Sequence, residues 1–167
     1  MTPMRARFLV PALVAALAVG CGFAPRGALK VPEGFGAIAV TAADPYSPLA
    51  DDLRRSLQRA GATTTETADG AAKLAITAET WETRPISVDA FVAVREVETR
   101  YRVTFDLLDA SGAKRLDQQV VELTRDYVYE ANEAFGNPGE QEIVQQELRR
   151  DMQAAILRRV DLALRQD

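Results

Sequence analysis

Residues Glu96 to Leu107 alternate between apolar or small and polar side chains, and this run constrains the fold more than any other part of the chain. The odd-numbered positions fall on one side of an extended backbone: Val97, Thr99, Tyr101, Val103, Phe105 and Leu107. The even-numbered positions fall on the opposite side: Glu96, Glu98, Arg100, Arg102, Thr104 and Asp106. A period of two predicts a β-strand, here within Phe91 to Leu108, with one buried face and one face in water.

Three further strands are expected around this one. The turn sequence Asp109-Ala110-Ser111-Gly112 predicts a long antiparallel hairpin with a following strand over Arg115 to Tyr129. That second strand alternates less cleanly, with an apolar face of Val121, Leu123, Tyr127 and Tyr129. Upstream, short strands are expected over Ala37 to Val40 and from Leu74 to Thr83, where Arg84-Pro85 interrupts the pattern. The polar segment Thr63 to Gly70 is expected to be a loop.

Two amphipathic helices are predicted to cover the apolar, buried face of the sheet. The first spans roughly residues 48 to 60, with Ser47 as N-cap, Pro48 at its first position and Gly61 as C-cap. The second spans Glu140 to Leu164 and carries one apolar stripe: Val144, Leu148, Met152, Ala155, Ile156, Val160 and Ala163. The order of elements therefore predicts an α+β two-layer sandwich, with both helices on one face of a four-stranded, mostly antiparallel sheet.

The amino terminus is typical of a bacterial lipoprotein signal. Arg5 and Arg7 precede an apolar run from Phe8 to Val19, which is too short to be a spanning helix. Cys21, the only cysteine of the chain, comes after that run and Gly20. We expect residues 1–20 to be removed and Cys21 to carry a diacylglycerol and an N-acyl chain, although an ordinary secretory signal also fits the pattern. Residues 21–35 would then be a tether, and 36–167 a single domain.

Composition narrows the classes of function. The chain has no histidine and one cysteine, so His/Cys metal sites and Ser-His-Asp or Cys-His catalysis are not available to it. After removal of residues 1–20, 18 basic and 24 acidic residues give a net charge of −6, which argues against nucleic acid as a partner. A pair of carboxylates acting on glycans stays open as a chemistry.

The start of the expected mature chain resembles the LPS-assembly lipoproteins of the LptE family. Cys21-Gly22-Phe23-Ala24-Pro25-Arg26-Gly27 matches the family's opening at Gly22, Phe23, Arg26 and Gly27. The order of elements agrees as well, so the resemblance covers nearly all of residues 21 to 165. Gly22 after the cysteine, by similarity to sorted lipoproteins, favours the outer membrane.

This resemblance implies a role without catalysis and without a cofactor. Family members sit inside the outer-membrane barrel LptD, as plug and assembly factor of the translocon that places lipopolysaccharide in the outer leaflet, and some are reported to bind lipopolysaccharide. A polar strand face suits a barrel lumen, but it also suits an ordinary solvated sheet. Two alternatives stay open: an accessory lipoprotein of a phospholipid-transfer system, and a carboxylate-based envelope hydrolase.

Arginine dominates the basic residues, with 17 arginines against three lysines. Its planar guanidinium binds two phosphate oxygens at once, so arginines on the strands are candidates to touch the phosphates of lipopolysaccharide. The candidate contacts lie on the strands or on their connecting loops: Arg84, Arg95, Arg100, Arg102, Lys114 and Arg115. The alternative for each of them is a surface ion pair with a neighbour such as Glu96, Glu98 or Asp117.

Overall fold

The computed structural model describes residues 36–88, 94–128 and 138–165. The expected signal peptide, the tether and Cys21 lie outside the described residues, as does Tyr129. Arg95 lies in a described strand, but its side chain is outside the described part of the chain. Within the described ranges, the predicted α+β architecture is confirmed, with two helices and one sheet.

The sheet has five strands instead of the expected four. The strands are β1 (Ile38–Ala42), β2 (Thr64–Thr65), β3 (Ala72–Val88), β4 (Val94–Leu108) and β5 (Lys114–Val128). Their order in space is β2-β1-β3-β4-β5. β1 runs parallel to both β2 and β3, whereas β4 runs antiparallel to both of its neighbours, β3 and β5.

The additional strand, β2, lies within the segment Thr63 to Gly70 that was expected to be a loop, so that expectation is wrong for Thr64 and Thr65. Its two residues are too few to carry a periodic pattern, and they form a strand only because they pair with β1. The backbone N–H of Ile38 donates to the carbonyl of Thr63 at 2.8 Å, which holds this short segment at the sheet edge.

β3 also continues beyond the predicted stop at Arg84-Pro85 and ends at Val88. β1 pairs with β3 only from Ala72 to Ile76, so within residues 36–88, 94–128 and 138–165 the later part of β3 has a neighbouring strand on one side alone. Proline is tolerated in an edge strand because its missing N–H can face the side that has no neighbouring strand, where no hydrogen bond is lost. After Pro85, the pairing of β3 with β4 shifts by one residue between Pro85 and Ser87.

A bulge explains why the pattern of β5 is less regular than that of β4. Phe105 pairs with Gln119, but Leu107 pairs with Leu116, so extra residues of β5 lie opposite this part of β4. Gln118 adopts a positive φ of 44°, and its N–H donates to Asp106 Oδ1 at 2.6 Å. The bulge changes the parity of the strand, so Leu116 before it faces the core on an even number, whereas Val121 and Leu123 after it face the core on odd numbers.

The first helix, α1 (Pro48–Arg59), begins at the predicted position. Ser47 is its N-cap, and the Ser47 hydroxyl accepts from the N–H of Ala50 at 3.4 Å. Gly61 follows the helix with a φ of 87°, a conformation that favours glycine. The predicted N-cap at Ser47 and the proline at the start of the helix are confirmed, whereas the C-cap is Ala60, one residue before the predicted Gly61.

The second helix, α2 (Pro138–Leu164), is 27 residues long and starts two residues earlier than expected. Its buried residues recur every four positions: Val144, Leu148, Met152, Ile156, Val160 and Leu164. A helical turn takes 3.6 residues, so this row winds slowly around the helix as it crosses the twisted sheet. Ala155 and Ala163 of the predicted stripe are partly buried and pack against the same core.

One hydrophobic core lies between the two layers. It joins the buried faces of α1 and α2 to the inward residues of β1, β3, β4 and β5, with Tyr101, Val103, Phe105 and Leu107 fully buried. Neither described helix has a stretch that is long and apolar enough to cross a membrane. Because both helices pack on the same side of the sheet, the opposite face of β3, β4 and β5 carries no helix among the described residues.

Candidate functional site: a charged ladder on the outer sheet face

The outer face of the sheet is built by the polar positions of three neighbouring strands. β3 contributes Arg84, β4 contributes Glu98, Arg100 and Arg102, and β5 contributes Glu122. Strand pairing places Arg84 opposite Glu98 and Arg102 opposite Glu122, so charges of opposite sign become neighbours across the strands. We call these five residues the charged ladder.

The ladder is held by a chain of ion pairs that alternate in sign. Glu98 Oε1 lies 2.9 Å from Arg84 Nε and 3.3 Å from a terminal nitrogen of Arg100. Glu122 lies 3.6 Å from Arg100 Nε and 3.9 Å from a terminal nitrogen of Arg102. The contacts therefore loosen from the Arg84 end to the Arg102 end, where the arginine side chain is 56% exposed.

Electrostatics at the ladder follow from these distances. The hydrogen bond from Arg84, together with the positive charges of Arg84 and Arg100, holds the pKa of Glu98 below its ordinary value despite some desolvation. Glu98 is therefore charged over the whole physiological pH range. Arg84 is thus paired with Glu98, and Arg100 lies between Glu98 and Glu122, whereas the one ion pair of Arg102 within the described residues is the 3.9 Å contact with Glu122.

A polar trough of about 410 Å³ lies over the ladder. Its walls combine charged residues with small or hydroxyl side chains: Ala78, Thr80, Glu82, Arg100, Arg102, Thr104 and Glu122. Arg100, one of the lining residues, has a buried Nε atom that makes no hydrogen bond among the described residues. Buried donors of this kind normally have an acceptor, and the Glu122 carboxylate, 3.6 Å away, is a charged group in a position to serve this N–H.

The structure brings together only part of the predicted set of phosphate contacts. Arg84, Arg100 and Arg102 lie in one row. Lys114 and Arg115 lie at the far end of the sheet, beside the β4–β5 turn. There Arg115 Nε is 3.2 Å from Asp109, and Lys114 pairs with Asp117, which raises the lysine pKa. These two residues therefore belong to a separate turn cluster.

The partners of the arginines were only partly visible in the sequence. Glu98 and Asp117 were among the expected ion-pair neighbours, and both do form pairs. Glu122 was not among them, although it contacts two of the candidate arginines. The hairpin register decides that Glu122 lies opposite Arg102, and the bulge near Gln118 shifts that register.

A second polar group lies on the core side, and sequence reasoning missed it. Glu79 accepts hydrogen bonds at 2.7 Å from the hydroxyls of Ser47 and Tyr101. Tyr101 stacks on Trp81, with ring centroids 3.7 Å apart. Burial and the Glu79 carboxylate raise the pKa of Tyr101. This cluster joins the start of α1 to β3 and β4, which is a structural role.

Residues 36–88, 94–128 and 138–165 contain no group of three or more Asp, Glu, His or Cys side chains that could hold a metal ion. The chemistry of the outer face is therefore that of guanidinium, carboxylate and hydroxyl groups. Such a surface can bind anions or sugar hydroxyls, or lie against another polar surface.

Comparison with known proteins identifies relatives over most of the chain. The family described as LptE, Lipopolysaccharide-assembly, matches residues 35–160. A protein of Photorhabdus laumondii subsp. laumondii named LPS-assembly lipoprotein LptE is 30% identical over 167 residues, covering 94% of this chain and 87% of that protein.

Solved structures share the fold. The solution NMR structure of an uncharacterized lipoprotein B from Nitrosomonas europaea has a TM-score of 0.70 and 29% identity, covering 84% of this chain and 90% of that one. The crystal structure of the rare lipoprotein B from Shewanella oneidensis has a TM-score of 0.66 and 21% identity, covering 75% of this chain and 93% of that one. The second likeness concerns the fold alone.

Proposed function

This chain belongs to the lipopolysaccharide-assembly family LptE, and from that premise we propose that it is an outer-membrane lipoprotein that plugs an LptD barrel and assists its assembly. In that complex it would serve the transport of lipopolysaccharide to the outer leaflet. The family works without catalysis and without a cofactor, so the envelope hydrolase is not retained as a candidate.

The charged ladder is the observation that supports the plug best. A plug must keep its own core and present a hydrated surface to a polar lumen. The core of this chain is supplied by the helix-covered face of the sheet, so the outer face is free to be polar. Its alternating charges compensate one another, which lets the face approach a lumen wall of either sign without strong repulsion.

Contact with lipopolysaccharide phosphates is proposed at Arg100 and Arg102. These two arginines line the trough together, and the contact between Arg102 and Glu122 is long and exposed. Exposed ion pairs of this kind contribute little free energy, so a phosphate that binds two nitrogens of one guanidinium can displace the carboxylate. Arg84 lies at the rim, bound more closely to Glu98.

The anchor is proposed to be the acylated Cys21. Buried acyl chains contribute about 0.8 kcal/mol per CH₂, and several chains together hold a protein firmly on a bilayer. The domain would then lie on the periplasmic side of the outer membrane or within the barrel lumen. A Cys21→Ala variant should fractionate with soluble periplasmic protein, whereas the unchanged chain should fractionate with the outer membrane.

The central experiment is purification of the C-terminally tagged, full-length chain from detergent-solubilised envelopes. A large β-barrel protein recovered in stoichiometric amount supports the plug. Recovery of the chain alone, or with inner-membrane transport components, rejects the plug and favours the phospholipid-transfer accessory.

Lipopolysaccharide binding is tested on the purified chain with a matched pair of double variants. Arg100→Gln with Arg102→Gln removes two positive charges from the trough, and binding of purified lipopolysaccharide should weaken by about ten-fold or more. Lys114→Gln with Arg115→Gln removes the same charge from the distant turn cluster and should leave binding nearly unchanged. Equal losses in both variants would mean that only the net charge matters.

A further inference from the structure

The solvent side of α2 carries a line of four exposed residues spaced four apart: Arg150, Ala154, Arg158 and Leu162. This line lies on the side of the helix opposite to the buried row and repeats its spacing. Leu162 is 59% exposed, although it is a large apolar residue. We call these four residues the basic crest. Cationic and apolar side chains therefore share one strip of exposed helix surface.

The two arginines of the basic crest have no carboxylate partner, unlike those of the charged ladder. Within the described residues, neither Arg150 nor Arg158 forms an ion pair, whereas every arginine of the ladder has one. The two acidic residues in this half of the helix, Asp151 and Asp161, each lie 2.9 Å from another arginine. An unpaired guanidinium keeps its donors for an external anion, and it binds a phosphate through two nitrogens at once.

α1 places one more guanidinium beside the basic crest. Arg59 donates to the hydroxyl of Ser56 at 2.6 Å, and the amide of Gln153 on α2 donates to the same hydroxyl. Arg59 also lacks an ion pair in the part of the chain that the structure describes. Its guanidinium therefore lies at the junction of the two helices, next to the residue that precedes Ala154.

The second half of α2 is basic, although the expected mature chain is acidic. Residues 149–165 hold five arginines and two aspartates, whereas residues 138–148 hold three glutamates and no basic residue. A net charge of −6 repels the mature chain as a whole from an anionic surface. The basic half of α2 is therefore the side of the helix layer that can approach such a surface.

The tether joins the domain at the end where this basic half lies. Strand pairing places the start of β1 beside the start of β3 and, across β4, at the same end as the start of β5. A terminal nitrogen of Arg159 donates to the Val120 carbonyl at 2.7 Å, whereas Asp151 lies 2.9 Å from Arg125. α2 therefore runs antiparallel to β5, and its last turns lie at the end of the sheet where the chain enters.

The expected anchor is close enough to bring the basic crest to a bilayer. Residues 21–35 can span at most about 50 Å when fully extended, and the 27 residues of α2 measure about 40 Å. A short tether gives a weak surface contact an effective concentration on the order of millimolar. A bilayer with anionic phospholipids attracts basic residues near its surface, each of which strengthens binding about five-fold.

We propose that the basic crest binds the headgroup phosphates of anionic phospholipids, on the surface of the bilayer that holds the acyl chains of Cys21. Arg150 and Arg158 would bind the phosphates, and Leu162 would enter the boundary between headgroups and acyl chains. The inference rests on the proposed acylation, which supplies the proximity, and it concerns the chain before it joins the barrel. The charged ladder, on the opposite side of the sheet, would then face away from the bilayer.

An environment-sensitive fluorophore in the middle of the basic crest tests this contact on the acylated chain. Because Cys21 would be acylated, Ala154→Cys introduces the only free thiol. Emission should shift to shorter wavelength on vesicles of phosphatidylethanolamine with phosphatidylglycerol, but not on vesicles of phosphatidylethanolamine with phosphatidylcholine. The shift should disappear at about 1 M salt, where the Debye length falls to about 3 Å. Equal emission on both kinds of vesicle overturns the proposal.

A matched pair of double variants tests the role of the unpaired arginines. With Arg150→Gln and Arg158→Gln together, the phosphatidylglycerol content needed for half of the shift should rise by about ten-fold or more. Lys114→Gln with Arg115→Gln removes the same charge from the same end of the sheet, but from cations paired with aspartates, and should change it little. Circular dichroism must show both variants folded. Equal losses overturn the assignment to the crest.

The remaining outcomes separate this inference from the proposed function. A shift on anionic vesicles supports the crest whether or not the chain recovers a barrel from envelopes. If the chain does not float with vesicles, the acylation fails, and the same fluorophore is read on the unanchored chain with vesicles in excess. Absence of a shift there overturns the crest as well. If emission shifts only when the barrel is bound, the crest contacts the barrel, and the bilayer contact is overturned.

Discussion

At the scale of single residues, the burial of β4 follows the alternation of its sequence. Tyr101, Val103, Phe105 and Leu107 are fully buried, and Arg102 stands in water on the opposite face. The one buried hydroxyl among these four, that of Tyr101, is satisfied by Glu79, as a buried polar group requires. The four buried residues therefore stabilise the core, whereas Arg102 contributes little to the free energy of folding.

Phe105 and Arg102 provide a direct test of the difference between the buried and the exposed positions of β4. Phe105→Ala removes a fully buried ring and should lower the free energy of unfolding by about 3–5 kcal/mol. Arg102→Ala removes an exposed side chain with one long ion pair and should cost under about 1 kcal/mol. Urea denaturation of both variants measures the difference, and small, equal effects would contradict the register of β4.

Tyr101 predicts a specific loss of stability at alkaline pH. Because folding raises its pKa above the ordinary value near 10, its contribution is complete below about pH 10 and declines at higher pH. The decline approaches about 1.4 kcal/mol per pH unit for one group. Tyr101→Phe should remove that part of the slope between pH 10 and 11 in urea denaturation. Tyr46→Phe, at an exposed position, should keep the slope of the unchanged protein.

At the scale of elements, some elements form from local sequence signals and others form only because a neighbouring strand pairs with them. α1 has its cap, its proline and its apolar stripe in the sequence, and it forms where they predict. β2 and the second half of β3 exist because a neighbouring strand pairs with them. Helices form their hydrogen bonds within one segment, whereas strands need a partner that the local sequence does not specify.

The bulge in β5 predicts an unusual effect of glycine. Gln118 adopts a φ of 44°, which is unfavourable for a residue with a side chain, so Gln118→Gly should raise the free energy of unfolding by up to about 1 kcal/mol. Gln119→Gly, in the regular ladder opposite Phe105, should instead lower it by roughly 0.5–1 kcal/mol. Thermal denaturation of the two variants checks the sign. Destabilisation by both would contradict the bulge.

At the scale of the whole molecule, one core connects both helices to four strands of the sheet. Residues 36–167 are therefore expected to fold without the tether. A chain shortened to that range should unfold in a single cooperative transition, with the fluorescence of Trp81 and the far-ultraviolet circular dichroism changing together. Two separated transitions would mean that α2 and the long hairpin form a unit of their own.

The sequence predicted that arginines would lie on the exposed sheet face, but not which residues would form the candidate site. Periodicity placed Arg100 and Arg102 on the wet face, and both lie in the trough. The same reasoning grouped Lys114 and Arg115 with them, although these lie beside the turn of the long hairpin, whereas Arg100 and Arg102 lie near the middle of β4. The sequence pattern does not give the distance along the sheet between these residues and the trough. It also does not show that strand register places the Glu122 carboxylate between Arg100 and Arg102.

Local and periodic signals in the amino-acid sequence specify the alternation of β4, the two amphipathic helices and the α+β class that they require. The fifth strand, the parallel pairing of β1, the bulge in β5 and the continuation of β3 to Val88 follow only from pairing between strands. The physical reason is that a side-chain pattern fixes which face of an element is buried. Pairing between distant backbone segments fixes which elements become neighbours, and in what register.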